Sequence, residues 1–102
     1  MKKYLILAVL ILSAFGLVAQ TGSVRGFVFD KTTGEPVIFA NIQIYKTTIG
    51  TATDVNGYFV LSKLKAGNYT LKIGTIGYET LEYPIVVEKN KVLSLNIDLE
   101  PS

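Results

Sequence analysis

The sequence predicts an all-β domain, a small antiparallel sandwich, behind a short helical leader. Three observations carry this reading. Beyond residue 20, apolar residues recur at every second position. Turn-forming residues interrupt them at short intervals. No stretch outside the leader has helical spacing. Strands that alternate in this way bury one face and wet the other, the pattern of two antiparallel sheets packed on each other.

The leader comes first. Lys2 and Lys3 precede an apolar run from Tyr4 to Leu12, and small residues Ser13, Ala14 and Gly16 follow. This is the order of a secretory signal peptide, expected here over residues 1–20. Cleavage could follow Gly16, Ala19 or Gln20, and the stretch Ala19–Gln20 fits best because the strand pattern starts just afterwards. The alternative is an uncleaved anchor, since the 18 uncharged residues from Tyr4 to Thr21 are just long enough to span a bilayer. Residues 21–102 then form one domain. A chain of that size hides roughly 60–65% of its unfolded surface, which supports one thin core.

Strand by strand, Val24–Phe29 opens the domain with Val24 and Val28 inward. Phe27 and Phe29 then point outward, either capped by a loop or forming a contact surface. A turn runs from Asp30 through Thr33-Gly34-Glu35-Pro36. Ala40, Ile42 and Ile44 alternate with Asn41, Gln43 and Tyr45. Thr51–Thr53 is a short third strand, and Asn56-Gly57 reads as a type I′ hairpin turn leading to inward Phe59 and Leu61. Asp54 is expected to cap backbone N–H groups in that turn, and Gly26 and Gly67 to permit bends or close backbone approach. Leu64–Asn68 makes the next turn. Tyr69, Leu71 and Ile73 alternate before Gly77-Tyr78. Leu81, Tyr83 and Ile85 follow, with Pro84 marking an edge or a bulge. After the polar turn Glu88–Lys91, the residues Leu93, Leu95, Ile97 and Leu99 alternate cleanly.

The chemistry is bounded by what the chain lacks. It has no His and no Cys, which excludes His-based catalysis, thiolate chemistry, disulfides and a lipid-modified Cys. Small extracellular domains of animals commonly need disulfides, so the expected setting is a bacterial envelope. Ten Lys and Arg face eight Asp and Glu, but without Lys2 and Lys3 the balance is neutral. No basic cluster suits nucleic acid. The paired carboxylates Glu79 with Glu82, three apart on an expected strand and therefore on opposite faces, or Asp54 with Glu35, read as solvated surface charge. Asp54-x-Asn56-Gly57 lacks the further acidic ligands and the closing Glu of a calcium loop. No catalytic residue, metal site or cofactor is expected. Exposed tyrosines can stack on sugar rings, and Tyr45 and Tyr78 are the candidate ligand contacts.

The ordered motifs carry a family resemblance. They are Val24-x-Gly26-x-Val28-x-Asp30, Thr33-Gly34-Glu35-Pro36-Val37, Ala40-Asn41-Ile42, Gly50-Thr51-x-Thr53-Asp54-x-x-Gly57-Tyr58-Phe59, Leu64-x-Ala66-Gly67-x-Tyr69-x-Leu71 and Gly77-Tyr78. Together they resemble the carboxypeptidase regulatory-like domain family. The resemblance implies a seven-stranded transthyretin-like or Ig-like antiparallel sandwich without peptidase chemistry, which in such enzymes resides in a separate zinc domain. It also implies the setting of the N-terminal extension of TonB-dependent outer-membrane receptors of Bacteroidetes, including glycan importers. No plug or barrel follows, so this chain is expected either to stand alone as an accessory module or to be the first piece of a longer protein.

Three functions are therefore in view. The favoured one is a non-catalytic docking module of an envelope uptake system, exported to the periplasm or outer membrane. It would touch the membrane through its leader or a partner receptor alone, and would meet a protein partner through sheet edges or loops. The second is a free-standing carbohydrate-binding module. The third is a folding or stability module without a ligand.

Overall fold

The computed structural model describes residues 4–6 and 20–102. Tyr4–Ile6 are helical. The signal-peptide reading otherwise falls outside the described residues. Seven strands follow: β1 (Thr21–Asp30), β2 (Asn41–Ile44), β3 (Gly50–Ala52), β4 (Tyr58–Lys65), β5 (Gly67–Gly74), β6 (Leu81–Val87) and β7 (Val92–Leu99). They form a three-stranded sheet in the order β4-β1-β7 and a four-stranded sheet in the order β3-β2-β5-β6. This is the sandwich that the alternation predicts.

The core lies between the sheets and is built from the alternating residues. Val24 and Val28 meet Phe59 and Leu61, Ile97 and Leu99 on one side; Ile42, Ile44, Leu71, Ile73, Ile85 and Val87 supply the other. Each such side chain withdrawn from water contributes about 1.5–3 kcal/mol, set against the entropy of ordering its backbone. Pro84, which has no N–H to give, sits on β6 at the sheet edge, as expected.

Four local features differ from the sequence reading, each for a physical reason. The β1–β7 ladder is parallel, from Ser23↔Val92 to Asp30↔Leu99, whereas the other four ladders among the described residues are antiparallel. Strand direction leaves no trace in a period of two. The Asn56-Gly57 turn is not type I′, because Gly57 has a positive φ (76°) and Asn56 does not. The Asp54 carbonyl instead accepts from Gly57 N–H at 3.0 Å, and Gly57 supplies the left-handed residue that follows such a turn. That turn is also a corner: it passes from β3 in one sheet to β4 in the other.

Leu64 is buried at the end of β4, not in a turn, and Ala66 alone separates β4 from β5. Between Leu61 and Leu64 the register against β1 shifts, with Lys63 at a φ of 58°. The extra residue resets the alternation so that Leu64 faces inward again. Finally, Glu79 lies in the loop ahead of β6, outside any strand.

Candidate functional site

At the end of the sandwich where β1 finishes, Asp30 organises the backbone. Its Oδ1 accepts from the N–H groups of Thr32 at 2.7 Å and Thr33 at 3.0 Å. Its Oδ2 accepts from the hydroxyl of Tyr78 at 2.8 Å. The Tyr78 hydrogen bond, joined by the Thr33 and Thr32 N–H groups, holds the Asp30 carboxyl below its ordinary range. The same bond, with partial burial and the Asp30 charge, pushes the Tyr78 phenol up. Glu79 N–H donates to Glu100 O and Ser102 N–H to Gly77 O, so the residues after β7 tie down the same loop.

Tyr78 is thus half-buried against the core and its hydroxyl is engaged. Tyr45 is 45% exposed, with the Lys46 ammonium 5.6 Å from its ring centroid. It follows Ile44, which pairs with Leu71, while Tyr78 lies beyond Gly74, which pairs with Asn41. The two tyrosines singled out by sequence therefore stand at opposite ends of the four-stranded sheet and do not form one site.

The aromatic residues that do come together lie on the outer face of the three-stranded sheet. Phe27 and Phe29 project from β1, and Tyr58 projects from the paired position on β4. The Phe27 ring centroid is 6.0 Å from Phe29, nearly parallel, and 5.1 Å from Tyr58, tilted by 51°. Phe27 is 38% exposed. The outward pair is covered in part by Tyr58. Arg25 Nε donates to Ser94 Oγ at 3.2 Å beside them. A groove of about 400 Å³ runs between Arg25, Phe27, Tyr58, Ser94 and Asn96. Sequence reasoning placed Phe27 and Phe29 outward but did not join Tyr58 to them, although its parity follows from inward Phe59.

A second surface is the seam where edge strands β6 and β7 face each other across the sandwich. Tyr83, Leu93 and Leu95 are half-buried there, beside Ile85. They line an apolar groove of about 430 Å³, closed at one rim by the Lys91–Glu88 ion pair at 3.0 Å. These surfaces offer stacking, hydrogen bonding and strand pairing. For metal binding, Asp54 uses Oδ1 on the N–H groups of Asn56 and Tyr58, each at 2.9 Å. Among the described residues no group of three acidic side chains gathers to hold an ion.

The comparisons with known proteins agree with the fold. Residues 24–102 match the family described as CarboxypepD_reg-like domain. The chain is 45% identical over 75 residues to the TonB-dependent receptor SusC of Bacteroides thetaiotaomicron; the match covers 74% of this chain and 7% of that receptor's length. The fold is similar to that of the minor pilin of Streptococcus agalactiae, with a TM-score of 0.65, 20% identity and coverage of 83% of this chain and 46% of the pilin. It is also similar to a chain of the type II cohesin–X-dockerin complex of Acetivibrio cellulolyticus, with a TM-score of 0.64, 30% identity and coverage of 78% and 58%.

Proposed function

The chain belongs to the CarboxypepD_reg-like domain family, and from that premise we propose that it is a non-catalytic docking module of a receptor-type uptake system in a bacterial envelope. The observation that carries this is the 45% identity to a TonB-dependent receptor over three quarters of the chain. Since the chain spans 7% of that receptor's length, its share of the work is contact, with transport left to other segments. The chemistry supports contact: apolar side chains fill the core, Asp30 and Asp54 serve turns, and no His or Cys is present. On this reading residues 1–20 direct export and are removed, and residues 21–102 act in the periplasm or at the outer membrane.

The test is fractionation followed by capture. The tagged chain, expressed in a Bacteroides host, is expected in the periplasmic or outer-membrane fraction without its first residues, and is expected to recover a TonB-dependent receptor from a detergent extract. Retention in the cytoplasm with the leader intact would overturn the reading.

One observation favours a second reading. Phe27, Phe29 and Tyr58, flanked by Arg25, Ser94 and Asn96, combine ring surface with hydrogen-bonding groups, as saccharide sites do. Tyr45 is a further candidate contact on another face. Titration calorimetry against a panel of oligosaccharides tests it. Heat that vanishes in Phe27→Ala supports a glycan site, and no heat with any glycan removes the idea.

A further inference from the structure

Four strands lie at sheet edges, and they differ in how they are protected. An edge strand presents unpaired N–H and C=O groups, and proteins ordinarily blunt it by shortness, by Pro, by Lys or by a bulge. β3 is three residues long. β6 carries Pro84. β4 carries the Lys63 irregularity together with exposed Lys63 and Lys65. β7 has none of these: it runs eight residues without Pro or positive φ, in unbroken register on β1. Its outward row is Val92, Ser94, Asn96 and Asp98.

The free edge of β7 also borders the apolar groove between β6 and β7. A strand added to β7 would stand about 4.8 Å from it and send every second side chain towards Tyr83, Ile85, Leu93 and Leu95. We infer that β7 accepts an extended segment of a protein partner, paired antiparallel, apolar at every second position and carrying a Lys or Arg opposite Asp98. Asp98 is exposed, and the ion pairs among the described residues do not include it, so the charge that suits this edge is positive. A second copy of the chain fits less well. Its own β7 carries no Lys or Arg to set opposite Asp98. The inference rests on the docking reading above and names the surface at which docking happens.

The probe is the acetylated and amidated peptide Lys-Val-Thr-Val-Thr-Val-Thr, added to the full chain; with its Lys opposite Asp98 it ends opposite Val92 and stays clear of the loop that pairs with Glu100. Binding is read by fluorescence polarisation and the paired strand by hydrogen exchange. The expected result is protection of amides within Val92–Leu99, at least fivefold weaker binding to Asp98→Lys, and recovery in that variant when the peptide Lys is replaced by Glu. Asp98 is at the surface, so the variant keeps its fold, which circular dichroism checks. No binding, protection at β3, β4 or β6 instead, or protection of β7 by self-association without peptide would each overturn the assignment. Receptor capture in the presence of excess peptide separates the two proposals. Capture that persists while the peptide occupies β7 sinks the β7 assignment and leaves docking standing, whereas no capture under any condition sinks docking itself.

Discussion

The hydroxyl of Tyr78 reaches Oδ2 of Asp30 at 2.8 Å across 48 positions of sequence, joining the loop ahead of β6 to the end of β1. Its pH dependence follows from the two shifts. Asp30 titrates lower folded than unfolded, so its contribution is present above the ordinary value of 3.8 and is lost as pH falls through the depressed value. Tyr78 titrates higher folded than unfolded, so its contribution is complete below 10.0 and is lost as pH rises through the raised value. Tyr78→Phe is expected to lower Tm at neutral pH, with the gap to wild type closing at both extremes. A gap that stays constant across a pH series of thermal melts would refute this.

Thr53, at 1% exposure, is the one buried polar side chain among the described residues. Its hydroxyl donates to Val37 O at 2.7 Å and accepts from Ala40 N–H at 2.8 Å, clasping the segment that leads into β2. Thr53→Val strands both backbone groups and is expected to cost about 2–4 kcal/mol in urea unfolding, while Thr53→Ser, which keeps the hydroxyl, costs about 1 kcal/mol. Equal costs would mean that the hydroxyl is idle.

Gly26 lets β1 and β7 approach: a Cβ there would lie 2.3 Å from the Leu95 carbonyl oxygen. Gly26→Ala must push the strands apart and is expected to lose about 3 kcal/mol or more. Hydrogen exchange on the variant should show β7 amides exchanging faster than those of β5. Uniform protection would refute the close-approach account.

Two phenylalanines on neighbouring strands separate core from surface. Phe59→Ala, which empties the space between the sheets, is expected to cost about 3–5 kcal/mol. Phe27→Ala removes a half-exposed ring from the outer cluster and is expected to cost about 0.5–1.5 kcal/mol. Comparable losses by chemical denaturation would contradict the assignment of faces.

Much of the sandwich was legible because burial on one face writes a period of two into the chain. Ile42 with Ile44, Leu71 with Ile73, and Ile97 with Leu99 are all read correctly from that signal alone. Leu64 was not, because one inserted residue at Lys63 inverts the parity. The candidate site was less legible. Tyr78 looked available because its partner, Asp30, lies in a distant turn. Tyr58 joins Phe27 through register across two strands, which no local pattern encodes. The β6–β7 seam depends on which strands end up at edges, a matter of topology alone.

The parallel ladder between the first strand and the last has a mechanical consequence. Tension applied at the start of β1 and the finish of β7 slides the two strands along each other, so the rungs from Ser23↔Val92 to Asp30↔Leu99 bear the load together and do not open one by one. A module strung between a tethered point and a moving one would therefore transmit force along its backbone while keeping its shape.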